Sequence, residues 1–474
     1  MKTHCNQQTF LFQAQTKRKL VAHFNGGNIC SDAGGLLLQQ TERLTGIIRR
    51  FAGCFTDHRD ADLIEHTVEE LVAQRVYALA LGYEDLNDHD ELRNDPLLAA
   101  LVGKDDPAGR NRLRSRDKGK ALAGKSTLNR LELTPVRANK DSRYKKITVS
   151  RHSVDSFFVD VFLDSYSRPP SEIVLDLDAT DDPLHGNQSG RFFHGYYKNY
   201  CYLPLYIFCG EHLLCARLRP SNIDASTGSV KELDRIVSHI RRRWPDVRIV
   251  IRGDSGFCRE RIMSWCEGND VDYVLGLAKN VRLKREIADE LEQAKMMFEQ
   301  TRQAARVFKD FRYQTLKSWS CSRRVVGKAE YLDKGENPRF VVTSLPADEV
   351  DARTLYEQSY CARGEMENRI KEQQLWLFAD RTSCATMRAN QSRLWFSSVA
   401  YTLMQALRRL GLKGTKLARA QCSTIRLKLL KIGAQVRVTV RKIWISLSES
   451  YPYQQLFRQV YENLVRLFPT PLRC

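Results

Sequence analysis

No two of the thirteen cysteines form a C-x-x-C pair, which removes zinc ribbons and thioredoxin-like redox centres. An odd, unspaced set in a chain of 474 residues suits a reducing cytosol. No uninterrupted apolar run approaches the ~18 residues of a membrane-spanning helix. The longest candidate, LWFSSVAYTLMQAL, is broken by polar groups and reads as a buried amphipathic helix. The opening stretch MKTHCNQQTF lacks a long apolar core, so no secretory signal is expected. Internal repeats and low-complexity tracts are missing too. So is any Ser/His/Asp or Cys/His arrangement that would supply a covalent nucleophile. These absences describe an intracellular, cytoplasmic protein without a membrane partner.

Acids are scarce where cations are not. From Arg381 to Cys474 there are 17 Lys/Arg against two acids, Glu449 and Glu462, a net +15 of the chain's +19. A pI near 9.4 with the excess gathered at one end favours a polyanionic partner, nucleic acid above all.

Residues to about 165 read as mainly helical. Ser31 or Asp32 is placed to cap a helix carrying Leu36 to Phe51, and IEHTVEELVAQRVYALALG has apolar residues at helical spacing. A basic stretch, GRNRLRSRDKGKALAGKSTLNRLE, and a linker through NKDSRYKK follow. From about 170 the rhythm becomes that of strands: IVLDLDA, then turn chemistry in HGNQSG, then YCYLPLYIF and HLLCARL. A helix over VKELDRIVSHIRRRW, strand VRIVIRGD, a helix over RERIMSWCE and strand YVLGL complete the order of an RNase H-like α/β domain with a mixed sheet. The segment VFKDFRYQTL to PRFVVTSL is strand-like and reads as a β-rich insertion, after which the chain is helical into its basic tail.

The expected layout has a helical DNA-binding and dimerisation region at 1–165 and the first part of the catalytic core at 166–298. The insertion takes 299–348, the rest of the core with its glutamate helix 349–405, and a basic helical C-terminal region 406–474.

The chemistry is carried by carboxylates. Asp178 ends IVLDLDA and Asp254 ends RIVIRGD, while Glu367 lies on a helix reading YCARGEMENRIKEQ. Two strand-end aspartates and a helical glutamate suit hard divalent cations, which take oxygen ligands and keep several waters. Strand alternation puts Val174, Asp176 and Asp178 on one face, so either aspartate can reach the site, Asp178 being nearer the C-terminal strand end. Asp181 and Asp182 lie beyond the strand and rank behind both. Around Glu367, Tyr356, Tyr360, Arg363, Lys371 and Gln374 follow steps of three and four and share one helical face. A surface salt-bridge ladder is the plain reading of that face. The functional reading has Arg363 and Lys371 hold DNA phosphates beside Glu367.

These residues carry a resemblance. Tyr360, Arg363 and Glu367 match the Y-x2-R-x3-E part of the Y-R-E-K signature of bacterial DDE insertion-sequence transposases. LDLDATDDP resembles that group's first-aspartate motif and IRGDSGF its second. Further stretches (DAGGLLL, ALALGYEDLNDHDELRNDP, LAGKSTLNRLE and YCARGEMENRIKEQ) resemble the insertion-sequence family numbered thirteen-eighty, nearly end to end. The signature's lysine position holds Gln374, with Lys371 one turn earlier as the candidate substitute.

The resemblance implies that Asp178, Asp254 and Glu367 are catalytic and bind two Mg2+ (or Mn2+) ions, with Tyr360, Arg363 and Lys371 on the DNA. It implies a transposase that binds terminal inverted repeats, cleaves double-stranded DNA at the element ends and transfers the 3′ ends to target DNA. The expected state on DNA is a homodimer at the bacterial nucleoid, with no nucleotide cofactor. Its rivals are an RNase H-like nuclease without strand transfer and a catalytically inert DNA-binding regulator.

Other patterns are weaker. Gly119 to Ser126 spells the phosphate-loop pattern G-x4-G-K-[ST], but no apolar strand precedes it, as that motif requires. A basic turn with Ser126 or Thr127 capping a short helix is the better reading. The acidic cluster Glu84, Asp85, Asp88, His89, Asp90, Glu91 and Asp95 lacks calcium-loop spacing and reads as a solvated loop. His185 and His194 lack ligand spacing. Trp319 reads as core, with base stacking as the alternative.

Overall fold

The computed structural model describes residues 9–13 and 17–468, so the expectation about a secretory signal, which rests mainly on residues 1–8, lies outside them. The chain forms two compact units. One spans 150–398; the other joins 1–149 to 399–474, the chain passing between them within the helix Met387–Leu410.

The 150–398 unit is built on a nine-stranded mixed sheet. Across it run His212–Arg217, Leu205–Cys209, Glu172–Ala179, Arg248–Gly253, Asp272–Leu277, Arg339–Thr343, Arg323–Leu332 and Ala305–Tyr313, with Gly335–Glu336 pairing at the side. Only the three strands Glu172–Ala179, Arg248–Gly253 and Asp272–Leu277 run parallel to one another. Alternation sends Ile173, Leu175 and Leu177 to one face, against Leu233, Ile236, Val237 and Ile240 of the helix Ser229–Arg243. Val250, Val274, Val326 and Val341 point the other way and are covered by Leu355 and Tyr356. With both faces covered, the central strands are apolar in their middles and their charged residues fall at the two ends, Glu172, Arg248 and Asp272 paired at one and Asp176, Asp178 and Arg252 at the other. The strand-rich stretch after Thr301 extends this same sheet, through antiparallel pairing of Arg339–Thr343 with Asp272–Leu277.

In the other unit the two ends of the chain fold together. Ala434–Val438 pairs with Asn28–Cys30 on one side and Ile443–Leu447 on the other. Lys431 meets the buried Asp32 at 2.5 Å, and Tyr83 donates to the same carboxylate at 2.6 Å. The expectation of a wholly helical C-terminal region is therefore corrected by a hairpin. AQVRV alternates apolar and polar residues and IWISL is rich in β-branched and aromatic ones, a strand signal that the density of positive charge had obscured.

Local starts differ as well. Helix Gly35–Thr45 has Gly34 at its N-cap, and Gly46, left-handed at φ 62°, separates it from Ile47–Ala52. Neither Ser31 nor Asp32 caps it, since Asp32 is spent on Lys431 and Tyr83. The helix Lys125–Glu132 likewise starts from Gly124 and not from Ser126 or Thr127. Asp90 accepts from the Lys125 backbone N–H at 3.1 Å. A carboxylate at that helix start repels phosphate, which disposes of the phosphate-loop pattern on physical grounds. The rest of the acidic cluster disperses: Asp95 caps Pro96–Val102, Asp88 accepts from the Asp85 backbone, and His89 is buried against Gln74.

No helix of the described residues is long and apolar enough to cross a membrane.

Burial lowers the proton affinity of His66 and His89 to about 3, with repulsion from Lys104 and Arg112 at His66 and from Arg75 at His89. Unfolding returns both to the ordinary value of 6.5. The unfolded chain then binds more protons between about pH 6.5 and 3, so stability falls as pH falls through that window. Buried carboxyls raised to about 7, Glu42 and Asp178, act in the opposite direction, so the contribution of the ring is read as a difference. Between pH 7.5 and 5 the denaturant midpoint of His89→Gln should fall less, or rise more, than that of wild type, whatever the change does to absolute stability. An unchanged pH slope would count against the buried neutral ring.

Candidate active site

Asp178 lies at the end of Glu172–Ala179, and Asp254 directly follows the neighbouring parallel strand Arg248–Gly253. The register pairs Asp176 with Arg252 and Leu177 with Gly253, so one further rung brings Asp254 beside Asp178. Alternation then puts all four charged residues on the same face.

Within that face the aspartates differ in their partners. Asp176 is buried, and both its oxygens are taken by Arg252, at 2.5 and 2.8 Å. Asp178 makes no such pair; its Oδ1 accepts only from the Ala179 backbone at 3.0 Å and lies 3.7 Å from Arg363 Nη1. Asp254 accepts from Gly256 N–H at 2.8 Å. Asp181 accepts from Asn199, and the buried Asp182 from Thr382. Among these aspartates, Asp178 is the one whose carboxyl feels the charges of both Asp254 and Glu367.

The glutamate reaches them from an unevenly wound segment. Leu355–Tyr360 and Glu372–Trp376 form wide π turns, Cys361–Arg363 a tight 3-10 turn, and Gly364–Lys371 an α-helix between. Such changes of winding shift side chains off a regular face, so the single helical face expected over Tyr356 to Gln374 is corrected. Tyr356 packs into the core under the sheet. Tyr360, Arg363 and Glu367 stay with the aspartates. Lys371 is exposed, and Gln374 donates to the Asp181 carbonyl at 3.1 Å.

Arg363 is the cation of the cluster. Its Nη2 donates to Glu367 Oε1 at 2.7 Å, while its buried Nη1 has no hydrogen-bond partner. A surface ladder does not bury its arginine between carboxylates from a strand and a helix. Burial pushes the Asp178 carboxyl up to about 7; Arg363 opposes the rise, and the charges on Asp254 and Glu367 add to it. The same three carboxylates raise the proton affinity of Arg363.

Among the described residues, no three His, Cys, Asp or Glu side chains are drawn close enough to hold a metal ion between them. The donor chemistry nonetheless fits a hard divalent cation. The trio is all oxygen, and burial together with the charges of Asp254 and Glu367 raises the Asp178 carboxyl, a cost that a cation among them would relieve.

Two residues that sequence reading passed over position the site. Arg252 grips Asp176 and also donates to the Ser359 carbonyl at 2.5 Å, tying both strands to the turn before Tyr360. Arg252 and Asp176 stand two positions before Asp254 and Asp178, a spacing visible in the sequence, while their pairing depends on the register of the two strands. Gly276, in the interior of Asp272–Leu277, leaves room for Tyr360; any side chain there would collide with the tyrosine hydroxyl. His185 is exposed, and His194 lies against Tyr197. Trp319 is buried edge-on to Tyr313, with Arg323 over its ring, which makes it a core residue.

Carboxylates at adjacent strand ends, answered by an arginine and a glutamate from a helical segment, describe a DDE-type protein. Residues 12–469 match the family described as Transposase DDE domain group 1, and the chain belongs to that family. Among solved structures it is similar to the piggyBac transposase synaptic complex with hairpin DNA, at 12% identity, 94% of this chain, 87% of that chain and a TM-score of 0.40. No curated protein matches the chain.

Removing Arg252 leaves Asp176 as a buried, unpaired carboxylate, a change that costs about 3–5 kcal/mol where it has been made elsewhere. Arg252→Ala should therefore unfold at markedly lower denaturant, and the double change Arg252→Leu with Asp176→Leu should recover most of the loss. Equal stability of wild type and Arg252→Ala would show that the pair carries no structural weight.

Proposed function

We propose that this protein is an insertion-sequence transposase of the thirteen-eighty family and that it acts on the terminal inverted repeats of its element. It cleaves DNA at those ends and transfers the 3′ ends to target DNA, working as a homodimer at the bacterial nucleoid. In this reading the mixed sheet is an RNase H-like core, and the strands after Thr301 are its insertion. The observation that carries the proposal is the meeting of Asp178, Asp254 and Glu367 around Arg363, in a chain of the DDE transposase family.

Asp178, Asp254 and Glu367 would hold Mg2+ or Mn2+. When bound, such ions supply Lewis acidity at the scissile phosphodiester and make the attacking water or 3′-hydroxyl a competent nucleophile. Arg363 offers the free N–H groups of Nη1 to a phosphate oxygen while Nη2 holds Glu367 in place, a division of labour that its planar fork permits. Tyr360 packs beside them over Gly276. Arg252 and Asp176 set the spacing between the two strand ends and the helical segment. Gln374, standing where the signature has lysine, fixes the loop after Asp178 through the Asp181 carbonyl, which leaves Lys371 to supply a mobile charge at the DNA.

Asp178→Ala, Asp254→Ala and Glu367→Ala should each abolish Mg2+- or Mn2+-dependent cleavage of DNA carrying the element ends, while end binding in a mobility-shift assay stays near wild type. Full activity in any one variant removes that residue from the site.

Arg363→Ala should lower cleavage by about 10²–10³-fold, the usual loss for one preorganised donor to developing charge, with a much smaller change in DNA affinity. Unaltered single-turnover kinetics would return Arg363 to a purely structural role.

A further inference from the structure

The loop that follows Asp178 carries a short hairpin, Phe192–His194 paired with Asn199–Tyr202. Its base is bonded to the candidate site: Tyr197 donates to the Ala179 carbonyl at 3.2 Å, and Asn199 to the Asp181 carboxylate at 3.0 Å. Its rings are open to solvent, Phe193 and Tyr200 on one face of the hairpin and Phe192 on the other. Phe192 is 41% exposed, Phe193 58%, Tyr196 83% and Tyr200 48%. Phe193 and Tyr200 sit opposite each other across the strands, ring edge to ring face at 5.6 Å.

Four exposed rings within nine residues are costly to leave in water, and such a patch on a folded protein marks a binding surface. Three features say what binds. The patch is continuous with the carboxylate site through Ala179 and Asp181. Its charges are of one sign: Arg191 lies over the Tyr200 ring at 4.7 Å, Lys198 is at the turn, and residues 191–200 contain no acid. Its apolar surface is made of flat rings and not of the branched aliphatics that suit a packed protein interface. Rings with interleaved cations are the surface that stacks nucleobases while their phosphates are neutralised alongside.

We propose that this hairpin is a stacking platform for unpaired bases of the DNA strand being cut, with Phe193, Tyr196 and Tyr200 as its rings and Arg191 and Lys198 as its phosphate contacts. The proposal rests on the reading that the chain acts on DNA, and it gives the stacking role considered for Trp319 to the hairpin. A base left unpaired beside a cut strand exposes its flat face, and an aromatic ring next to a cation is the surface on which it stacks. Tyr197 and Asn199 hold the platform at the strand end where the cut is made.

The test uses the full-length protein and oligothymidylate carrying one 2-aminopurine, beside the same label in a fully paired duplex. Wild type should quench the single-stranded probe on binding. Tyr196→Ala and Phe193→Ala should each weaken that binding on the order of tenfold, while Tyr196→Trp retains it and duplex affinity changes little. Both positions are exposed, so circular dichroism should match wild type. If wild type binds duplex but the alanine variants quench the single-stranded probe as it does, the platform is wrong and the DNA reading stands. If the variants instead lose only a concentration-dependent self-association, the hairpin is a contact between copies of the chain and the platform is again wrong. If wild type binds neither probe, the DNA reading itself fails.

Discussion

A buried aspartate and arginine on adjacent parallel strands set the geometry on which the site depends. Asp176 and Arg252 face each other across one rung, two positions before Asp178 and Asp254. Because side chains alternate with period two, fixing the first pair on the inner face fixes the second pair there as well. Arg252 turns its third nitrogen, Nη1, to the Ser359 carbonyl. A guanidinium can do this because its donors diverge in a rigid plane; a lysine would satisfy one partner at a time. A slip of one residue in either strand would turn its two charges into the apolar layer around Leu175 and Ile251, which the core does not tolerate.

Two positions further on, the electrostatics reverse. Asp176 is satisfied, whereas Asp178 feels the charges of Asp254 and Glu367 with only Arg363 to balance them. Burial and like charge together lift the Asp178 carboxyl to about 7. A fold selected for stability alone would not keep three acids together so short of positive charge. Strain of this kind is concentrated where function needs it, and here it stands directly beside a pair with none.

Much of this was legible in the sequence. Strand alternation in IVLDLDA and VRIVIRGD locates Asp178 and Asp254, because the period-2 pattern survives even when the strands are buried on both faces. The choice between Asp176 and Asp178 was not legible: both lie on the same face, and only the neighbouring strand's register shows that Arg252 occupies Asp176. The helical face around Glu367 was overdrawn for a related reason. Steps of three and four assume uniform winding, and the chain changes pitch from π to 3-10 to α between Leu355 and Lys371. Side-chain spacing carries little trace of that change. The C-terminal hairpin was missed because charge was weighed ahead of the strand signal in AQVRV and IWISL.

The positive charge itself shows how far composition can be trusted. Of the cations counted toward a polyanion, Arg408 donates to the Ala420 carbonyl, Arg426 to the Ala80 carbonyl, and Lys431 meets Asp32. In the earlier basic stretch, Arg112 is taken by Glu65 and the Lys120 carbonyl. These groups close the fold; they do not face a partner. Arg116 and the cations of the 191–200 hairpin remain outward, and only cations that reach phosphate release counterions from it. The reading of a polyanionic partner from charge alone accordingly rests on the exposed cations. Net charge measures how much cation a chain carries, while affinity for DNA depends on the fraction left over once the chain has satisfied its own carbonyls and carboxylates.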